Sequence, residues 1–347
     1  MKNLGYRLLK LWIKAGLYLY YGKIKISGLE NVPRNEPVLF LPNHQGALMD
    51  VLLIVTDCHR KPFFLTRSDV FKRPMLIKFF TFLRMLPIYR IRDGRESLKK
   101  NNAVFDECAR LFREKHALVM FPEANHNIKR RVRPLSKGFT RILFNTLKKT
   151  PQLKIHIIPV GMNYRSNNGF PDRVALYYGT PILANDFYDK NGVQNAIHTL
   201  KDAVSDNLKT LTTNIEEEEN YDVIIRKLDA LQVDYLNPSE TNAAIKNLDA
   251  SDDKNADHSA PPALQTFFKG IFTVLNLPVV ILWRIWIKPK VGEPEFMGTF
   301  RFGFALLVYP IYYLMFFAVI AAIWNGLVGI AVIVGLFLFN LGYVRWN

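Results

Sequence analysis

The first 24 residues carry a helical period. Leu8, Leu9, Trp12, Ile13 and Leu17 share one helical face, and Arg7, Lys10 and Lys14 share another. The spacing predicts an amphipathic helix over residues 1–24. It lacks a clean apolar h-region and a small-residue cleavage site, which favours an interfacial helix over a removed signal peptide. Amphipathicity alone does not say which apolar phase is covered, so packing on the core of the following domain is the competing reading.

Between Gly28 and about Tyr178, within an expected domain of residues 25–236, short apolar runs alternate with amphipathic stretches. The runs Val38 to Leu41, Pro62 to Thr66, Leu86 to Tyr89, Ala117 to Phe121, Ile155 to Val160 and Val174 to Tyr178 predict strands. Ala47 to Thr56, Val70 to Arg84, Glu96 to Arg113 and Lys137 to Lys148 predict helices, with polar helical sequence from Asn191 to Leu236. This alternation argues an α/β domain, a mixed sheet flanked by helices. Within it, the acidic run Glu216 to Glu219 reads as a solvated face.

Residues 237–263 are polar, lack aromatics and contain Pro261-Pro262, so they read as a linker. The remainder, 264–347, changes character. Residues 271–287 are apolar but short, contain Pro278 and carry Arg284, which favours a re-entrant or interfacial helix. Phe302 to Val344 then runs 43 residues without Asp, Glu, Lys or Arg, about twice the roughly 20 needed to cross a bilayer core as a helix. Trp324-Asn325-Gly326 supplies a turn, so the expectation is a helical membrane hairpin over 302–323 and 326–344.

Charge sharpens this picture. The chain of 347 residues has a net charge of +16 although its mean hydropathy is +0.02. Arg60 to Lys149 holds 23 Lys/Arg against 7 Asp/Glu, an excess equal to that of the whole chain. The basic character is therefore local, suited to a phosphate-bearing substrate or an anionic leaflet. Nucleic-acid binding fits poorly, because the basic residues interleave with core segments and the chain is tethered in a bilayer. Two cysteines, Cys58 and Cys108, make neither a disulfide framework nor a cysteine zinc site, and point to a reducing, intracellular setting.

Candidate chemistry gathers at the expected carboxyl ends of strands, where open α/β sheets bind ligands. There lie Asn43-His44 with Asp50, Arg90 with Asp93, Phe121-Pro122-Glu123, and Pro159-Val160. A His and an Asp suffice to move an acyl group from a thioester to an alcohol: the base takes the hydroxyl proton and the carboxylate orients it. His44 and Asp50 would lie about 240° apart on one straight helix. They can meet only if His44 sits in the loop and Asp50 in the first turns of the next helix. Arg67, Arg90, Arg92, Lys129, Arg130, Arg131, Arg133 and Lys137 offer charge for a phosphate. Glu123 and His126 have an E-x-x-H spacing, but no second copy exists to complete a di-iron site, so no metal is expected. No G-x-S-x-G elbow, Walker A loop, G-x-G-x-x-G or H-E-x-x-H occurs, which weighs against the chemistries those motifs serve.

NHQGALMD (43–50), LPIYR (86–90), FPEANHN (121–127) and IIPVGMNY (157–164), in this order, resemble the four motifs of the 1-acylglycerol-3-phosphate acyltransferase family of glycerolipid acyltransferases. The resemblance covers roughly residues 25 to 180. It implies transfer of a fatty acyl group from acyl-CoA or acyl-ACP, as co-substrate and with no resident cofactor, to a hydroxyl of lysophosphatidate or glycerol 3-phosphate in phospholipid synthesis at a membrane. By that resemblance His44 is the base, Asp50 its partner, and Arg90 with the block around Glu123 holds the acceptor. Arg67 falls where the family often has a phosphate-binding lysine; Arg131, Lys137 and Gly138 are further expected substrate contacts, with Arg130, Arg131 and Lys137 the alternatives for the charge that the third block lacks. Two departures stand out. Five residues, Gln45 to Met49, separate His44 from Asp50 where the common pattern has four, similar to a glycerol-3-phosphate and dihydroxyacetone-phosphate acyltransferase-like branch. The third block, usually Phe-Pro-Glu-Gly-Thr-Arg-Ser, has Ala124, Asn125 and His126 in place of Gly, Thr and Arg.

The expectation is an integral membrane O-acyltransferase whose catalytic domain faces the cytoplasm. A catalytically silent, basic membrane scaffold that binds anionic lipid is the alternative.

Overall fold

A computed structural model describes residues 2–71, 73–90, 96, 99–189, 192–248 and 263–346. Eight strands form one sheet: β1 Tyr21–Ser27, β2 Val38–Pro42, β3 Phe63–Arg67, β4 Met85–Ile88, β5 Ala117–Val119, β6 His156–Tyr164, β7 Asp172–Tyr178 and β8 Ile182–Leu183. Their order is β1-β7-β6-β2-β5-β3-β4, with β8 also on β6. β6, β2, β5, β3 and β4 run parallel, so their carboxyl ends share one edge, whereas β7 is antiparallel to β6 and β1 parallel to β7.

Strand β2 shows why the sheet lies inside. All five of its residues are buried, which is why it reads as an unbroken apolar run. Leu39 and Leu41 enter a core shared with the helices Asn101–Arg113, Gly138–Lys149 and Val193–Leu211, while Val38 and Phe40 enter the opposite core with Leu17, Met49, Leu53 and Phe302. Each such side chain contributes about 1.5–3 kcal/mol of gross burial.

The amino-terminal helix, Lys2–Tyr20, packs part of its apolar surface on the domain. Leu17 and Tyr20 join the domain core, whereas Leu4, Leu8, Leu11, Trp12 and Leu19 stay exposed. Two of its lysines turn to the domain: Lys10 donates to the Cys58 carbonyl and Lys14 pairs with Asp57. The sheet starts at Tyr21, so strand β1 straddles the boundary expected at residue 24.

Four further expectations need correction. Val70 to Arg84 is not one helix: a 3₁₀ turn spans Ser68–Phe71, and the helix Pro74–Phe82 begins with Pro74 in its first turn, where a missing N–H costs nothing. The segment expected as a linker contains a helix, Pro238–Lys246, whose Ala244 and Ile245 pack with Ile215 and Leu228; the stretch 249–262 lies outside the described residues. Pro159 and Val160 are not at a strand end, because β6 continues to Tyr164. The expected helix from Glu96 begins in residues partly outside those described and is continuous over Asn101–Arg113.

Two helices, Met297–Ile323 and Gly326–Trp346, are long and apolar enough to cross a membrane, joined at Trp324-Asn325. Before them Ala263–Leu275 and Leu277–Lys290 meet at 91°. The break falls at Asn276, two residues ahead of Pro278. Asn276 is fully buried and exchanges hydrogen bonds of 2.8 and 2.9 Å with Asn340 of the second long helix. That reciprocal pair satisfies both amides at the break.

Candidate active site

The carboxyl end of β2 leads into a loop pinned from both sides. Asn43 is buried and exchanges bonds with the Met162 backbone, giving 3.1 Å through Nδ2 and accepting at 2.7 Å through Oδ1. His44 follows in the loop, and Asp50 is the third residue of the helix Leu48–Asp57. The pair meets at 2.8 Å between His44 Nδ1 and Asp50 Oδ2, as the loop-and-helix placement requires.

Asp50 is fully buried and well served. Oδ2 also accepts from the Gln45 and Gly46 amides at 3.0 and 2.9 Å, and Oδ1 accepts from the Tyr164 hydroxyl at 2.5 Å. With Nδ1–H directed at Asp50, the lone pair of His44 lies on Nε2. Gly46 is required by space: a Cβ there would lie 2.6 Å from the Tyr164 hydroxyl oxygen and 2.9 Å from Asp50 Oδ1. The His44 ring stacks on Phe121 with centroids 3.8 Å apart, which fixes its plane.

The block after β5 lies beside this pair. The Asn127 amide donates to the His44 carbonyl at 3.0 Å, joining the two loops. Glu123 is buried and accepts from Arg133 Nε at 2.7 Å. Burial lifts its carboxyl to about 7, with the Arg133 charge offsetting part of the effect. Glu123 and His126 have different partners: His126 Nε2 lies 2.9 Å from Glu293 Oε2. The His126 ring stands edge-on to His44 at 5.6 Å and to Phe296 at 4.8 Å.

The basic candidates divide. Arg67 ends β3 and makes two bonds to Asp69, through Nε at 3.1 Å and Nη2 at 2.5 Å; Arg90, just beyond β4, reaches the same carboxylate at 3.3 Å. Both therefore stand at the edge where the parallel strands end, while Arg92 and Asp93 lie outside the described residues. Arg130 is structural: it donates to the Tyr164 and Arg165 carbonyls at 2.8 and 2.7 Å and stacks on Tyr235. Arg131 pairs with Glu218, so part of the expected solvated acidic face is engaged by the expected acceptor site. Lys137 is exposed ahead of the helix Gly138–Lys149, and a Cβ on Gly138 would meet Met120 Cε at 2.6 Å.

Sequence reasoning missed two participants. Tyr164 closes a motif already singled out, and its end-of-strand position would have shown it had β6 been extended. Glu293 lies 167 residues from His126, and no local pattern announces it.

Residues 23–163 match the family model described as Acyltransferase. The chain is 24% identical over 232 residues to a 1-acyl-sn-glycerol-3-phosphate acyltransferase of Borreliella burgdorferi, covering 67% of this chain and 82% of the relative. It is 27% identical over 120 residues to glycerol-3-phosphate O-acyltransferase 1 of Saccharomyces cerevisiae, covering 33% of this chain but only 16% of that relative's length. Among solved structures it is similar to the 1-acyl-sn-glycerophosphate (LPA) acyltransferase PlsC from Thermotoga maritima, at 18% identity and a TM-score of 0.41 over 58% of this chain and 78% of that one.

Proposed function

We propose that this chain, whose residues 23–163 form an acyltransferase-family domain, is a membrane-bound glycerolipid O-acyltransferase. The observation that carries the reading is the His44–Asp50 pair at 2.8 Å, with the carboxylate held on both oxygens. The acceptor hydroxyl gives its proton to His44 Nε2 as its oxygen attacks the thioester carbonyl of acyl-CoA or acyl-ACP. The carbon–sulfur bond then breaks, and the thiolate takes the proton back from the imidazolium. No protein nucleophile and no resident cofactor are needed, because the thioester is already activated.

The acceptor is a glycerol phosphate, glycerol 3-phosphate or lysophosphatidate, whose phosphate is held by Arg67 and Arg90. The two long apolar helices anchor the chain. Arg301 and Arg345 bound the charge-free stretch 302–344 whereas the turn carries no charge, which favours a cytoplasmic catalytic domain by the positive-inside rule.

Purified protein in lipid nanodiscs, given labelled acyl donors and a panel of glycerol phosphates, tests the reading. Transfer to a hydroxyl, reduced roughly 10²- to 10⁴-fold in His44→Ala, is the expected result. Absence of transfer with every donor and acceptor would leave the basic scaffold as the better description. Replacing Arg90 by alanine should weaken acceptor use about 10- to 150-fold, the worth of one charge-assisted hydrogen bond, with little change in donor KM.

A further inference from the structure

The segment that leads into the first long helix reaches over the candidate active site. Glu293 pairs with His126, and Phe296 lies edge-on to the same ring. Arg301 donates to the Gly169 and Asn168 carbonyls at 2.6 and 3.0 Å. A Cβ on Gly298 would lie 3.6 Å from the Asn167 carbonyl and 3.7 Å from Met49. Asn167 in turn donates to the Gln45 carbonyl at 3.1 Å, one residue from His44. Residues 293–301 therefore form one wall of the site, although they lie outside the family-matched span.

This wall gives the site two electrical poles. Arg67 and Arg90 stand at the ends of β3 and β4, and β3 is two strands from β2 in the order β2-β5-β3, about 10 Å. Over the end of β5 the sign reverses: ligand-type atoms of His126, Glu293 and Glu295 all lie within 4.8 Å of one another. Asp69 offsets one of the two guanidinium charges and leaves the first pole net positive, so a phosphate is drawn to it and repelled by the second. What remains of a glycerol phosphate to face the second pole is its hydroxyls. The Glu293 carboxylate only accepts hydrogen bonds. It can receive a hydroxyl but has nothing to offer a ketone or an ester carbonyl.

Resting on the acyltransferase reading above, the geometry points to Glu293 as an acceptor-specificity residue. Backed by His126, it binds the hydroxyl next to the one that gives its proton to His44. The favoured acceptor then has two adjacent free hydroxyls, as glycerol 3-phosphate does and 1-acylglycerol 3-phosphate does not. Dihydroxyacetone phosphate is the sharper probe, because it replaces only the second hydroxyl by a carbonyl.

The test measures kcat/KM of the full chain in nanodiscs for these three acceptors, with wild type and Glu293→Gln. Wild type should prefer glycerol 3-phosphate over dihydroxyacetone phosphate by about tenfold or more. Glutamine keeps the shape and adds an N–H donor, so the variant should bring that ratio near one, chiefly through KM for glycerol 3-phosphate. A wild type that prefers 1-acylglycerol 3-phosphate would overturn the assignment, as would an equal loss on all three acceptors in the variant. Loss of the preference on chelating divalent cations would overturn direct recognition by the carboxylate. If wild type transfers to no acceptor at all, the acyltransferase reading itself fails first.

Discussion

Tyr164 donates a 2.5 Å hydrogen bond to Oδ1 of Asp50 across 114 residues of sequence, from the last position of β6. The carboxylate that orients His44 is thus held by a neighbouring strand as well as by its own loop. Burial, together with the charge of Asp50, raises the Tyr164 phenol well above its ordinary range, so it remains a donor throughout the working pH range.

Removing that donor should slow the reaction without unfolding the domain. Tyr164→Phe leaves Asp50 Oδ1 buried and without its partner, and a hydrogen bond to a charged group is worth about 1.5–3 kcal/mol. Turnover should fall about 10- to 150-fold, less than in His44→Ala. Gly46→Ala, which places a methyl between the same two groups, should act in the same direction. Asp50→Asn should fold, since its oxygen can face His44 and the two amides while its NH₂ faces the Tyr164 oxygen, yet lose activity because it cannot stabilise an imidazolium. Steady-state kinetics with circular dichroism on all three variants checks this. Full activity in Tyr164→Phe would show that Asp50 needs no second support.

Glu123 should leave a signature in the pH dependence of stability. Its carboxyl is raised from 4.5 to about 7 in the fold, first by burial, with Arg133 opposing. Between these values the folded state keeps a proton that the unfolded chain has lost, so stability falls as pH rises through this window and levels off above it. The contribution is on the order of 3 kcal/mol. Thermal melts from pH 5 to 8 should show wild type losing stability relative to Glu123→Gln over this range. Parallel curves for the two proteins would mean that Arg133 fully compensates the buried charge.

Ala124 has φ of 63°, in the left-handed region that favours glycine. The resembled motif has glycine at this position, so alanine carries a conformational cost of about 1 kcal/mol. Ala124→Gly should raise the melting temperature with the His44–Asp50 geometry unchanged. A lower melting temperature would show that the methyl contributes more through packing than the backbone loses.

The sequence disclosed what is local and obscured what is distant. His44 and Asp50 were readable because six residues and one loop-to-helix step settle their meeting. The buried strands were readable as unbroken apolar runs. Strand β1 was not, although Ile24 and Ile26 alternate with Lys23 and Lys25, because the amphipathic helix runs straight into it. The helix Pro238–Lys246 hid behind polar composition: only a few of its side chains reach the small core around Leu228. The His126–Glu293 contact depends on where the segment leading into the first long apolar helix docks, which no local period encodes.

The hairpin returns to the body from which it leaves. Arg301 at the start of the first long helix binds the 168–169 backbone, and Val344 at the end of the second lies against Gly22 of β1, so close that a Cβ there would sit 2.4 Å from the Val344 carbonyl oxygen. Both ends therefore abut the α/β domain. The helix Met297–Ile323 is 27 residues long, roughly 40 Å, enough to carry the Trp324-Asn325 turn to the far side of a bilayer. Cysteines at Gly292 and Gly326 suit a test, because a Cβ at either position meets nothing within 4 Å and the Asn325 side chain keeps its bond to the Val328 amide. The native Cys58 and Cys108 are buried and give little background. With a membrane-impermeant thiol reagent on intact cells, Gly326→Cys should label and Gly292→Cys should label only after the membrane is opened. The opposite pattern would place the catalytic domain outside. Protection of both until lysis would mean that the hairpin enters the bilayer from the cytoplasmic side without crossing it.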